Sequence, residues 1–224
     1  MRSVRLGGGR HTATPAGDLR AAARSGHLVS VACTPKGPAP VEGLVVLVGL
    51  RWAVVHRLHP DLVFDGYVAV PTLQVSRVVD LVSRDWRAVE VAGLVREGGS
   101  AGVPHVDPTT TTTLLRSVAA GYGVLSVVAG RRGGARAITG EVERMVGRQL
   151  VFAPLRTGAT VESCPLELVA IPEVGQIVFG TRVTTALARA RGHRRPSDLT
   201  VSELREVESS TRRPDRPDRP TAVA

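Results

Sequence analysis

The sequence predicts a mainly β protein: two small five-stranded barrels in tandem, each preceded by a short helix, with disordered basic tails. Three observations carry that reading. Short Val/Leu-rich runs, broken by Gly, Pro and Asp-Gly signals, succeed one another from residue 27 to residue 82. The order of these runs recurs in the second half of the chain. Aromatic residues make up only 3% of the 224 residues, so the core must be built from Val, Leu, Ala and Ile, within an ordinary hydrophobic content of 43%.

Taken in order, residues 1–15 contain Gly7-Gly8-Gly9 and no periodicity, and read as a flexible arm. The glycines lack a preceding strand and the Lys-Ser/Thr of a phosphate loop. Residues 16–25 read as a helix, with Asp18 near its start and Gly26 as its stop. His27–Cys33 is the first expected strand, and Thr34–Pro40 a loop. Val41–Val48 and Trp52–Leu58 form a hairpin around Gly49-Leu50-Arg51. Asp65-Gly66 turns the chain into Tyr67–Pro71, and Val75–Leu81 is the fifth strand. Such a series disposes of its exposed edges most simply by closing into a barrel. The first barrel thus spans 16–82. Residues 83–108 supply a helix, in which Trp86, Val89 and Ala92 keep helical spacing, and a Gly/Pro linker.

The second barrel spans 109–180. The threonine run 109–113 caps a helix. Leu115-Arg116-Ser117-Val118 echoes Leu19-Arg20-Ala21-Ala22, and Val124-Leu125-Ser126-Val127 echoes Leu28-Val29-Ser30-Val31 at an offset of 96. Thr139-Gly140-Glu141-Val142 echoes Glu42-Gly43-Leu44-Val45 at 97, and Val174-Gly175-Gln176-Ile177 echoes Val75-Ser76-Arg77-Val78 at 99. Offsets that drift through the loops are what a diverged duplication leaves. Residues 181–224 read as a largely disordered tail. It has a capping-box spacing at Thr200-Val201-Ser202-Glu203 and an apolar-free Pro-Asp-Arg repeat after Thr211.

The formal charge of +9 is concentrated at the ends. Residues 1–26 hold five arginines against one acid, and residues 181–224 ten arginines against six acids, while the middle is nearly neutral. Basic arms suit a polyanion, so Arg194, Arg195, Arg212 and Arg213 are the candidate nucleic-acid contacts. Tyr67, just after a turn, is the candidate for base stacking. Trp52, Phe152 and Phe179 fall in strand positions and read as core.

Chemistry of other kinds finds little support. His56, His59, Asp61 and Asp65 lie near one another in sequence, but strand and loop placement gives no reason for them to converge, and no metal is expected. Cys33 and Cys164 have no neighbouring histidine and read as inert thiols. No nucleophile elbow, zinc-protease motif or carboxylate pair is present, so no catalytic residue and no cofactor are expected. No apolar run is long enough to span a bilayer, and Met1–Gly9 lacks a signal-peptide core, so a cytoplasmic protein is expected.

A short helix leading into Leu28-Val29-Ser30-Val31, a glycine (Gly43) within the second strand, Phe64-Asp65-Gly66-Tyr67-Val68, and Val75-Ser76-Arg77-Val78 together resemble the Sm-like fold. The chain is similar to uncharacterised bacterial proteins that carry that helix-plus-five-strand barrel twice. The resemblance covers 16–82 closely and 109–180 more loosely. Glu162-Ser163-Cys164 stands where Asp-Gly-Tyr is expected in the second half. The Asn-Gly and Lys-His uridine-pocket motifs of RNA-chaperone Sm rings are missing. The resemblance implies a non-enzymatic binding or interaction protein whose partner is another protein or a second copy. The alternative is an RNA-binding regulator that uses the basic arms and a barrel face.

Overall fold

The computed structural model describes residues 14–34, 39–61, 63–81, 104–130, 134–155 and 165–192. Helix α1 (Pro15–Ser25) begins where Thr14 Oγ1 accepts from the Gly17 amide at 3.3 Å, and Pro15 suits the first turn, where its missing N–H has no partner to lose. It ends at Gly26, whose φ of 65° closes the last turn, and it buries Leu19 and Ala22. Five strands follow: β1 (Leu28–Cys33), β2 (Val41–Val48), β3 (Trp52–Leu58), β4 (Phe64–Pro71) and β5 (Val75–Asp80), with a 3-10 turn at Thr72–Gln74. The second half has the same order. It comprises α2 (Thr111–Tyr122), β6 (Val124–Ala129), β7 (Arg136–Val146), β8 (Gln149–Pro154) and β9 (Glu167–Ala170), then a 3-10 turn at Ile171–Glu173 and β10 (Val174–Phe179). A Cβ on Gly43 would land on the His56 carbonyl, and one on Gly140 on the Ala153 carbonyl. Both strands bulge just beyond, between Val45 and Leu47 and between Val142 and Arg144. Glycine therefore lets each second strand press against the third where it bends.

The strands do not close into two separate barrels. They form one open antiparallel sheet in the order β5-β1-β2-β3-β4-β10-β6-β7-β8-β9. The halves meet where β10 pairs β4, with Ile177 opposite Ala69, Val178 opposite Val68 and Phe179 opposite Tyr67. The physical reason lies in β4. Its residues from Gly66 to Val70 are buried on both faces, and β10 takes its outer edge.

The core follows the same logic. The largest cluster mixes Trp52, Val54, Tyr67 and Ala69 of the first half with Leu115, Phe152, Ile177 and Phe179 of the second. A second cluster sits between α1 and the first five strands around Leu19, Val31, Val55 and Val68. The end of the linker docks on the first half as well. The Trp52 amide donates to the Pro108 carbonyl at 3.2 Å, and the Trp52 indole N–H to Thr111 Oγ1 at 3.2 Å. The two runs of sequence on either side of the expected helix and linker at 83–108 therefore share one core.

The expected tail begins too early. A helix, α3 (Arg182–Ala190), follows β10 directly, with Thr181 Oγ1 accepting from the Thr184 amide and Thr184, Thr185 and Ala188 buried. Its inward face is small and partly polar, so its apolar signal is faint in the sequence. The expected arm before residue 14, the helix around Trp86 and the capping-box segment at Thr200 lie outside the described residues.

Candidate functional site

The seam between β4 and β10 gathers most of the chemistry-bearing side chains. Asp65, at the start of β4, accepts from the Arg182 amide at 2.8 Å through Oδ1 and from Arg57 Nη2 at 2.8 Å through Oδ2. It thus binds the first turn of α3, where an acceptor suits the unpaired amides and the helix dipole. Partial burial pushes its carboxyl up. The Arg182 amide and the Arg57 guanidinium outweigh this and hold it below the usual carboxylate range. Gly66 has φ 68°, and a Cβ there would stand 2.5 Å from the Thr181 amide nitrogen and 2.6 Å from the Phe179 carbonyl oxygen. Only glycine permits that conformation and that approach.

Tyr67 completes the seam. Its ring stacks on His56 at 4.8 Å and on Phe179 at 5.4 Å, and Tyr122 meets it edge-on at 6.3 Å. His56 continues the stack onto Phe64 at 4.3 Å. Tyr67 is 8% exposed, and burial pushes its hydroxyl up. Both faces of the ring are occupied, so Tyr67 is a joint residue and no open platform for a base. His56 is also buried, and desolvation lowers its pKa to about 4, which keeps the ring neutral.

The opposite situation holds at the outer edge of the second half. By the offset of 99 that relates the two 3-10 turns and fifth strands, Leu166 and Leu168 occupy the positions of Tyr67 and Ala69, so the match to Asp65-Gly66-Tyr67 falls two residues later in the sequence than the expected Glu162-Ser163-Cys164. Tyr67 and Ala69 are buried, whereas Leu166 and Leu168 are 57% and 66% exposed. Among the described residues no strand pairs the outer side of β9. At the other end of the sheet β5 is likewise an edge, with Arg77 and Asp80 exposed and Val78 and Val79 half-buried. Asp80 there faces His27 Nδ1 at 3.2 Å.

The remaining sequence candidates scatter. His59 pairs with Asp61 at 3.1 Å, Asp65 turns to its two arginines, and His56 lies in the stack, so the four do not converge. Among the described residues no group of three or more His, Cys, Asp or Glu could hold a metal. Cys33 is half-buried, and burial pushes its thiol up, the wrong direction for a nucleophile. Cys164, Arg194, Arg195, Arg212 and Arg213 lie outside the described residues. Among the described residues no helix is long and apolar enough to cross a membrane. The sequence reading missed Arg57 and Arg182, because nothing local marks an arginine as the partner of an aspartate far along the chain. Comparison with protein-family models, curated proteins and solved structures gave no match.

Proposed function

We propose that this chain is a non-enzymatic cytoplasmic interaction protein built from two diverged Sm-like units, and that its partner is a second copy of itself. The observation that carries the reading is the contrast between β4 and β9. Tyr67 and Ala69 are covered at the internal joint, whereas Leu166 and Leu168 at the matching positions are exposed at the end of the sheet, among the described residues. An unpaired edge with two exposed leucines is a template for strand addition. The internal joint pairs a fourth strand with a fifth strand, and the two open edges are again a fourth strand, β9, and a fifth strand, β5. Transferring the internal register sets Leu168 opposite Val78 and Glu167 opposite Val79. Glu167, which pairs with Arg136 of its own chain at 2.6 Å, is then a diagonal neighbour of Arg77, and Leu166 falls opposite Asp80. The contact is head-to-tail, so copies either close into a ring or extend.

Sedimentation or light scattering of the full chain tests this. The expected result is a species larger than 23.6 kDa, converted to monomer by Leu166→Lys with Leu168→Lys. A wild-type monomer at all accessible concentrations overturns the reading. The competing reading is RNA binding through Arg194, Arg195, Arg212 and Arg213, which has the basic ends behind it. It takes over if a monomer binds RNA in a steeply salt-dependent way that is lost on replacing those arginines.

A further inference from the structure

We propose that a cavity beside the seam binds a small monocarboxylic acid with an apolar body. The cavity measures about 420 Å³ and opens to solvent. Val41 lines it from β2, Arg57 from β3, Val68 from β4 and Val178 from β10. The register sets these four on one face of the sheet. Val41 lies two residues from Gly43, which pairs Arg57, and Val68 pairs both Val55 and Val178. Two strands, β3 and β4, separate β2 from β10 in the sheet order, so the sheet curls to bring these walls together. The site needs both halves of the chain, and none of its walls belongs to the open edges β5 and β9. Its volume lies in the range of small-molecule sites, and its walls are mostly apolar, as such sites usually are.

Arg57 decides the ligand class. Its Nη2 donates to Asp65 Oδ2 at 2.8 Å, the one hydrogen bond its side chain makes among the described residues. Its Nε is buried and has no partner. A donor left in that state is costly, and more so on a charged group. The side chain is nonetheless 33% exposed, so an acceptor that enters the cavity reaches the guanidinium. The local charge favours an anion. Asp65 also faces Arg182, whose Nε lies 4.0 Å from Oδ1, so two arginines share one aspartate. His59 is matched by Asp61 at 3.1 Å. Glu42 leaves β2 on the other face, because its neighbour Gly43 is the residue that pairs Arg57. A carboxylate suits an arginine with donors to spare, since charge-assisted hydrogen bonds are the strong ones and the planar guanidinium matches two oxygens. The apolar body of the acid lies against Val41, Val68 and Val178.

Titration of the isotope-labelled full chain with benzoate and, separately, with benzamide and benzylamine tests the site by NMR. Benzoate should shift the Arg57 Nε–H signal and the backbone signals of Val68 and Val178 saturably. Benzamide, which keeps the ring but not the charge, should bind at least about tenfold more weakly, and benzylamine more weakly still. Arg57→Lys keeps the charge, loses the planar fork and should weaken benzoate at least about fivefold. If that variant does not fold, Val178→Phe, which fills the cavity from its wall, should abolish the shifts instead. The proposal is overturned if benzoate gives no saturable shift, if benzamide or benzylamine binds as tightly, or if the variant that folds binds benzoate unchanged.

Discussion

The fourth strands of the two halves, β4 and β9, show how one position in a fold can be made into a joint or left as an edge. At β4 an aspartate, a glycine and a tyrosine are each matched to a group on the far side. Asp65 holds the start of α3, Gly66 lets the backbones touch, and Tyr67 stacks on Phe179. The corresponding stretch of the second half ends in Pro165 and Leu166, with none of those devices, and β9 is only four residues long. A joint inside one chain is held at high effective concentration and can be optimised residue by residue. Under the proposed self-association, an edge that pairs with another chain needs only backbone pairing and a few apolar contacts.

The largest expected effect is at Gly66. Gly66→Ala places a Cβ into the Thr181 and Phe179 backbone at a positive φ. The structure should lose about 3 kcal/mol, because strain and a backbone clash combine. Urea unfolding measures it. A loss under about 1 kcal/mol would mean that the seam gives way easily. Alanine at Gly147, which has φ 57° but nothing within 4 Å of a Cβ, separates the strain from the clash.

His56 comes next. Its folded pKa of about 4 lies below the unfolded value near 6.5, so the unfolded chain takes up the proton first as the pH falls. Stability is therefore full above pH 6.5 and declines toward pH 4, by up to about 3 kcal/mol at 1.36 kcal/mol per pKa unit. Unfolding free energies measured across that window should show the slope. His56→Phe, which keeps a ring between Phe64 and Tyr67, should remove it.

How much of this was legible in the sequence depends on range. The helix stop at Gly26 and the β2–β3 hairpin were readable because each is fixed by neighbours in the chain. The pairing of Ala69 with Ile177 was not, because alternation shows which side of a strand is buried and never which edge it meets. One signal was available. Tyr67-Val68-Ala69-Val70 is apolar at every position, unlike an alternating edge strand, and such a run marks a strand covered on both faces. Tyr67 read as exposed because it follows a turn, but the turn is itself covered by the start of α3.

Asp65→Asn should have a smaller effect. The carboxyl is only 13% exposed and its pKa is depressed, so its stabilisation is present above the unfolded pKa near 3.9 and is lost as the pH falls through the folded value. At neutral pH the amide still accepts from the Arg182 backbone but loses the ion pair with Arg57, a cost of about 1–2 kcal/mol. The variant should also flatten the acid limb below pH 4, which thermal unfolding at pH 3 and pH 7 will show.

The smallest effect on the fold itself is expected at the open edge. Leu168→Lys changes a side chain that is 66% exposed, so the stability of an isolated chain should move by no more than about 0.5 kcal/mol. A lysine on an edge strand does, however, oppose pairing with another strand. The variant should therefore unfold at the same urea concentration when dilute, yet show no rise in mass with concentration where the wild type does. Lysine at Ala69, the matching position in the joint, should instead unfold the protein, because that site is fully buried between β3 and β10. If both lysines destabilise the dilute chain alike, β9 is covered within its own chain, and the distinction between joint and edge does not hold.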